Sequence, residues 1–171
     1  MSEEFKIING FDNYMVSNFG NVKNTKTGRI LKASIDSEGY YKVSLSKEGK
    51  STTKNNHRLV AIAFLENLEN KNCVDHINNN KLNNNLTNLR WATTKENSQN
   101  QKLSSNNKSG QKGITFYKPS NKWCAQITID GIGIHLGYFV NKEDAINARV
   151  LRAYQVFGVF TNACEQTIIT L

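Results

Sequence analysis

At 171 residues the chain can hold one domain or two or three small modules, and with 38% apolar residues any core is modest. A net charge of +8 and a pI near 9.4 point to a polyanionic partner. Cys73, Cys124 and Cys164 are scattered without a CxxC pair, which argues against disulfides and for a reducing, intracellular compartment. The acidic start MSEEFKIING lacks an apolar h-region, and no run approaches the roughly 18 apolar residues that span a bilayer. Neither a signal peptide nor a membrane partner is expected.

Residues 1–56 alternate short β-type runs with Gly and Asn turns. Phe5-Lys6-Ile7-Ile8 precedes Asn9-Gly10, a strong hairpin signal, and Tyr14-Met15-Val16 precedes a second turn at 18–20. Arg29-Ile30-Leu31, the run from Tyr40 through Leu45, and Ser51-Thr52-Thr53 follow. The pattern predicts a small antiparallel sheet.

Residues 57–100 hold the densest chemistry. His57 opens HRLVAIAFLEN, where Leu59, Val60, Ala63 and Phe64 recur at helical spacing. His57 itself is expected as a capping or core residue, with contact to DNA or shaping of the site as the alternatives. A short apolar run, Cys73-Val74-Asp75-His76, leads into an Asn-rich loop over 78–88, and a second run follows, Leu89-Arg90-Trp91-Ala92. Thr93 with Glu96 three residues on forms a capping box that opens a helix carrying Asn97. Strand, loop, strand, helix brings Asp75, His76 and Asn97 toward one point. Asp and Asn offer the hard oxygens that Mg²⁺ prefers, and few protein ligands suffice because phosphate and water complete the octahedron. His76 has the ordinary pKa that suits a group taking a proton from water near neutral pH. Arg90 is placed to reach a phosphate.

HRLVAIAF, VDHINNNKLNNNLTNLRWAT and KEN together resemble the HNH endonucleases with a ββα-metal site, in their phage and intron homing branch. The resemblance implies that Asp75 and Asn97 bind a divalent ion, Mg²⁺ or Mn²⁺, and that His76 activates the attacking water. It also implies that Asn88 ties the loop together and orients the base. Asn97 stands where the family name has its third His. The four-cysteine zinc staple of some relatives is absent, so no structural zinc is expected. FKIINGFDNYMVSNFGNVKN resembles a nuclease-associated modular domain found ahead of such cores, with Phe5 where that family has Trp. A structural or DNA-positioning role is implied, with Lys23, Lys26, Arg29 and Lys32 as candidate phosphate contacts.

No acidic residue lies between Glu96 and Asp130, a window that holds Lys102, Lys108, Lys112, Lys118 and Lys122. Its first part, SQNQKLSSNNKSGQK, is polar and reads as a flexible linker. Alternating runs at 113–117, 122–129 and 134–139 then predict three strands, separated by turns at 118–121 and Asp130-Gly131. Asn141 starts a helix with Ala145, Ala148 and Leu151 facing inward before Gly158. One sheet face (Ile114, Phe116, Trp123, Ala125, Ile127, Ile134, Leu136) is expected to meet that helix. The other presents Thr115, Tyr117, Gln126, Thr128 and His135 to solvent. A sheet of this kind can enter a major groove. The stretch from SGQKGITFYK through KWCAQI and HLGYF to EDAINA resembles the Apetala-type DNA-binding domain of plant ethylene-responsive factors. By position Lys112, Thr115, Tyr117, Gln126, Thr128 and His135 match places where that family meets DNA. Several of those places are Arg or Trp in the plant proteins, so the plant target sequence is not implied. The tail Ile168-Ile169-Thr170-Leu171 is expected to add an edge strand or to pack on the helix.

These readings predict a modular α+β chain. Residues 1–56 form the nuclease-associated β module, 57–100 the HNH ββα-metal core, 101–112 a basic linker and 113–171 the Apetala-type domain. The expected activity is metal-dependent hydrolysis of phosphodiester bonds in double-stranded DNA. A monomer with one ion per site nicks one strand, inside a host cell and of phage or viral type. His76 and Asn88 are the expected catalytic residues and Asp75 and Asn97 the metal ligands. Arg90, Lys102, Lys108, Lys112, Thr115, Tyr117, Lys118, Gln126, Thr128 and His135 are the expected DNA contacts. The rival is a DNA-binding regulator on a nuclease-like scaffold, against which the joint presence of Asp75, His76 and Asn97 argues.

Overall fold

The computed structural model describes residues 2–162 and 165. Its contacts divide the chain into two units, Met1–Asn97 and Ser98–Leu171. Both are α+β, built of small antiparallel sheets with few helices.

Unit 1 opens with β1 (Phe5–Ile8), β2 (Phe11–Ser17) and β3 (Val22–Asn24), paired in that order. The run at 29–31 makes only one isolated bridge, Ile30 to Lys23, and Ile30 is half-exposed. A second sheet joins β4 (Ser34–Ile35), β5 (Tyr41–Lys47) and β6 (Lys50–Asn55). Glu48 and Gly49 close the β5–β6 hairpin, both at positive φ, as a primed turn requires. Helix α1 (Asn56–Phe64) follows at once, and Leu65 is already extended. The helix is shorter than the HRLVAIAFLEN run suggests. The Leu65 carbonyl accepts the Trp91 indole N–H instead, at 3.2 Å. Next come β7 (Cys73–His76), β8 (Leu89–Ala92) and α2 (Thr94–Gln99).

One apolar core serves the whole unit. Val16 and Leu45 from the sheets, Val60 from α1, and Val74 and Leu89 from the β7–β8 hairpin all belong to it. Each such burial stabilises by about 1.5–3 kcal/mol, so residues 1–56 and 57–97 support each other. The boundary read at residue 56 therefore runs through a shared core.

Unit 2 contains β9 (Ile114–Tyr117), β10 (Lys122–Ile129) and β11 (Ile132–Phe139), with β10 in the middle. Helix α3 (Lys142–Phe157) covers the face that carries Ala125 and Ile127. Ala145, Arg149, Val150 and Ala153 point inward, whereas Leu151 is 60% exposed. The inward stripe follows Ala145, Arg149 and Ala153 at four-residue spacing, which leaves Leu151 outward, and Arg149 pairs with Glu165 at 3.0 Å. Phe116, expected inside, is partly exposed because β9 is an edge strand, and its ring meets Trp123 edge-on at 5.1 Å. The stretch 98–112, read from composition as a linker, carries bonds within this unit. Lys112 Nζ donates to the Gln99 carbonyl (2.9 Å), and Asn162 Nδ2 donates to the carbonyls of Asn100 and Gln101. Cys73 and Cys124 are free thiols. Cys164 and the tail at 168–171 lie outside the described residues. Among the described residues no helix is long and apolar enough to cross a membrane.

His57 is a core residue of unit 1, 5% exposed at the start of α1. Burial, then the neighbouring His76 and Arg58, push its pKa down to about 3. The unfolded chain therefore takes up a proton at His57 between about pH 6.5 and pH 3 that the folded chain refuses. Stability should fall as pH drops through that window, by up to about 1.4 kcal/mol per pH unit from this group. Urea unfolding of the wild type and His57→Gln at pH 7 and pH 4.5 checks this. The variant should show the shallower pH dependence, and equal slopes would remove His57 as the cause.

Candidate active site

Register fixes the first feature. β7 and β8 pair antiparallel with Asp75 opposite Arg90 and His76 opposite Leu89. Asp75 is 4% exposed, and a carboxylate so removed from water needs a partner. Arg90 supplies it: Nη2 lies 2.7 Å from Asp75 Oδ2 and Nε donates to the same oxygen at 2.8 Å. Arg90, expected from sequence as a phosphate contact, is thus engaged with the carboxylate that the sequence nominates as a metal ligand.

The loop between the strands bonds largely to itself. Asn78, Asn80 and Asn83 each accept a backbone N–H two residues on, at 2.8, 3.1 and 3.3 Å. Such side-chain turns let a loop fold without an apolar core. Asn88, buried at the end of a 3-10 turn (Leu86–Asn88), closes it. Its Oδ1 accepts from Asn78 N (3.0 Å), its Nδ2 donates to the Asn83 carbonyl (2.8 Å), and its own carbonyl accepts from Ile77 N (2.9 Å). The loop is also tied to the first sheet, since Leu86 N donates to the Asn18 carbonyl at 2.7 Å.

His76 leaves β7 in a different direction from Asp75 and is 5% exposed. Its Nε2 lies 3.1 Å from Asn84 Oδ1. An amide oxygen at that distance suits a neutral ring with its proton on Nε2. Asn84 is in turn pressed against Gly20: a Cβ at Gly20 would sit 2.7 Å from Asn84 Cβ, and Gly20 has φ +90°. Burial pushes the His76 pKa below the usual imidazole value, opposed by Asn84 and Asp75 and aided by Lys81. A lowered value keeps the ring neutral and able to accept a proton. Tyr40 and His57 complete its surroundings, with ring centroids 5.8 and 5.1 Å from that of His76.

Helix α2 begins on the capping box that the sequence predicts. Thr93 N donates to Glu96 Oε2 (2.7 Å), and Glu96 N donates to Thr93 Oγ1 (3.2 Å). Lys71 Nζ lies 3.0 Å from Glu96 Oε1 and anchors the turn from outside. Asn97 follows, half-buried, and among the described residues its side-chain amide has no hydrogen-bond partner. Among the described residues no three His, Cys, Asp or Glu side chains cluster as a metal cage. The residues that the sequence nominates for a cation are Asp75 and Asn97, which offer a carboxylate and an amide oxygen. Two hard oxygens suit a small divalent ion that keeps water and phosphate in its remaining positions, so the donor set fits.

In unit 2, Thr115, Tyr117, Gln126, Thr128 and His135 lie exposed, as alternation predicts. Gln126 stands opposite His135 in the β10–β11 pairing, beside a bulge. Tyr138 joins them, its ring 4.6 Å from His135 and 5.2 Å from Tyr117. A cleft of about 490 Å³ at the β9 edge brings together Lys108, Thr115, Lys118 and Gln126 with Trp123 and Phe116. Lys102 is exposed in the coil that follows α2, whereas Lys112 is occupied with the Gln99 carbonyl.

Sequence reading passed over Tyr40, Asn84 and Gly20. Asn84 is one of many asparagines in its loop, and nothing in its type marks it out. Tyr40 sits far away in sequence, and only the shared core brings it near. The Gly at 20 follows an Asn-rich turn, which read as ordinary turn chemistry.

Two family models match the chain: the NUMOD4 motif over residues 3–46 and the HNH endonuclease family over residues 54–99. The DNA endonuclease I-HmuI of Bacillus phage SP01 is 48% identical over 99 residues, which cover 57% of this chain and 57% of that protein. An uncharacterized HNH endonuclease, L245 of Acanthamoeba polyphaga mimivirus, is 47% identical over 97 residues, 57% of this chain and 29% of that protein. The H-N-H endonuclease F-TflII of Escherichia phage T5 is 39% identical over 89 residues, 51% of this chain and 46% of its own length. The chain therefore spans less than two thirds of the length of these curated relatives. A solved structure described as DNA binding and cleavage by the HNH homing endonuclease I-HmuI superposes with a TM-score of 0.55 at 34% identity. That likeness covers 91% of this chain and 92% of the other. On that coverage and identity, the chain belongs to the HNH endonuclease family.

Proposed function

We propose that this protein is a metal-dependent endonuclease that hydrolyses phosphodiester bonds in double-stranded DNA, nicking one strand as a monomer. The observation that carries the reading is the buried pair of groups on one hairpin: an Arg-bound Asp75 beside a neutral, amide-oriented His76.

Asp75 and Asn97 would hold the ion, Mg²⁺ or Mn²⁺. Bound there, it supplies Lewis-acid polarisation of the scissile phosphate and stabilises the leaving 3′ oxygen. Arg90 holds Asp75 through one oxygen, so the carboxylate cannot swing. Asn84 fixes the His76 tautomer, and the imidazole lone pair takes the proton of the attacking water. Attack at phosphorus leaves a 5′-phosphate and a 3′-hydroxyl. Asn88 acts through the loop, holding residues 77–88 in the shape that places Asn84.

Unit 2 would supply affinity and address. Its lysines suit phosphates, and the exposed Gln126, Thr128 and His135 suit base edges. The likeness to the Apetala-type sheet supports a groove-reading role for this face.

Three outcomes are expected. His76→Ala should keep DNA affinity while losing relaxation of supercoiled plasmid by about 10² to 10⁴-fold, the range of a lost general base, and EDTA should abolish wild-type activity. Equal cleavage by the variant would take His76 out of the chemistry. Gly20→Ala should drive Asn84 away and lower the single-turnover rate tenfold or more, with Kd for DNA little changed; an unchanged rate would show that Asn84 does not set the base. Lys108→Gln with Lys118→Gln should weaken binding to all duplexes alike. The salt dependence of log K should flatten by about one per lysine. Titrations at several salt concentrations test this, and an unaltered slope would show that neither lysine meets a phosphate.

A further inference from the structure

The turn at residues 36–40 lies far in sequence from the β7–β8 hairpin yet meets it in space. Tyr40 lies in the segment matched by the NUMOD4 motif, whereas His57 and His76 lie in the HNH segment. Yet the three rings form one triangle, with centroids 4.8 Å apart for Tyr40–His57, 5.8 Å for Tyr40–His76 and 5.1 Å for His57–His76. His57 is the nearer neighbour of both other rings. It is 5% exposed, begins a helix, and its Nδ1 has no hydrogen-bond partner. Its place is therefore set by packing alone, from Tyr40 on one side and His76 on the other.

The turn that carries Tyr40 is itself built. Asp36 Oδ1 accepts both Glu38 N (3.0 Å) and Tyr40 N (2.9 Å), and Asp36 N donates to the Tyr40 carbonyl (3.0 Å). Lys81, from the Asn-rich loop, then clamps it from above. Its Nζ donates to the Glu38 carbonyl at 2.9 Å and sits 4.5 Å from the Tyr40 ring centroid. A cation over an aromatic face at this range is attractive. So the loop that holds His76 through Asn84 also grips the turn that backs His76 through Tyr40. Asn84 meets the ring at Nε2, and Tyr40 flanks it with centroids 5.8 Å apart.

We propose that residues 36–40 are a positioning element of the nuclease centre. Tyr40, set by Asp36 and locked by Lys81, presses His57 against His76 and so fixes the imidazole plane. The proposal rests on the reading of His76 as general base. A positioning role has consequences that a scaffold role lacks. A misplaced base costs chemistry, because a displacement of about 1 Å can cost on the order of 100-fold in rate. Binding of DNA uses other surfaces and should not change.

The experiment measures kcat and KM of the full chain for relaxation of supercoiled plasmid in Mn²⁺, with Tyr40→Leu, Tyr40→Phe, Asp36→Ala and Lys81→Met. Tyr40→Leu should lose tenfold or more in kcat with KM within twofold, and Tyr40→Phe, which keeps the ring, should recover most of it. Asp36→Ala and Lys81→Met, at or near the surface, should each lose kcat by several-fold. A loss confined to KM would overturn the proposal, since it would make Tyr40 a DNA contact, and so would a wild-type kcat for Tyr40→Leu. Should Tyr40→Leu not fold, the two turn variants decide, and an unaltered kcat in both refutes the positioning role. His76→Ala runs alongside. If it relaxes plasmid as fast as wild type, the nuclease reading fails by itself, whatever Tyr40 does.

Discussion

A carboxylate that is 4% exposed, held opposite a guanidinium across two short strands, is the constraint on which unit 1 turns. Taking both charges out of water costs several kcal/mol per ion, and only close, well-directed contact offsets it. The register of β7 and β8 provides that contact. A slip of one residue would send Arg90 to the opposite face and strand Asp75 without its partner. Four-residue strands cannot hold a register by ladder bonds alone. The surrounding contacts have to do it: Val74 and Leu89 in the core, and the Asn88 carbonyl closing on Ile77 N at the open end.

This explains why the loop is written in asparagine. A loop of this length between strands so short needs internal order, and its mostly polar residues gain little of it from the core, which Leu86 reaches. Asn side chains supply order through backbone bonds two residues on, and Asn79 tolerates a positive φ. The arrangement has a functional by-product. Because the loop is bonded along its length, one of its amides, Asn84, is held facing His76 at 3.1 Å. A flexible Gly-Ser loop could span the same gap but could not orient a base.

Much of this was legible in the chain. Strand, loop, strand and capped helix over 73–99 follow from local patterning, and the Thr93–Glu96 box forms with both of its bonds. The three strands and final helix of unit 2 were equally plain, since alternation and turn residues are local signals. What escaped reading was mostly long-range. Arg90 has the chemistry of a phosphate ligand, and only the register shows that it faces Asp75. Leu151 follows Ala145 and Ala148 at three-residue steps, yet such steps drift around a helix, and the buried stripe runs through Arg149 and Ala153 instead. The polar stretch at 98–112 looked like a linker because its bonds run to residues as distant as Asn162. Composition carries no record of such partners.

On the proposed function, the same distinction separates chemistry from address. The centre on the β7–β8 hairpin is buried and mutually braced, so substitutions among Asp75, Asn84, His76 or Arg90 remove a partner from a closed set. The sheet face of unit 2 is exposed, and Thr115, Gln126 and Thr128 contribute little to its core. Replacing them leaves the fold almost untouched, because surface changes away from special features alter stability by about 0.5 kcal/mol or less. On the proposed function, a chain built this way can change where it binds without disturbing how it cuts. The converse does not hold, since the groups that would cut also hold the first unit together.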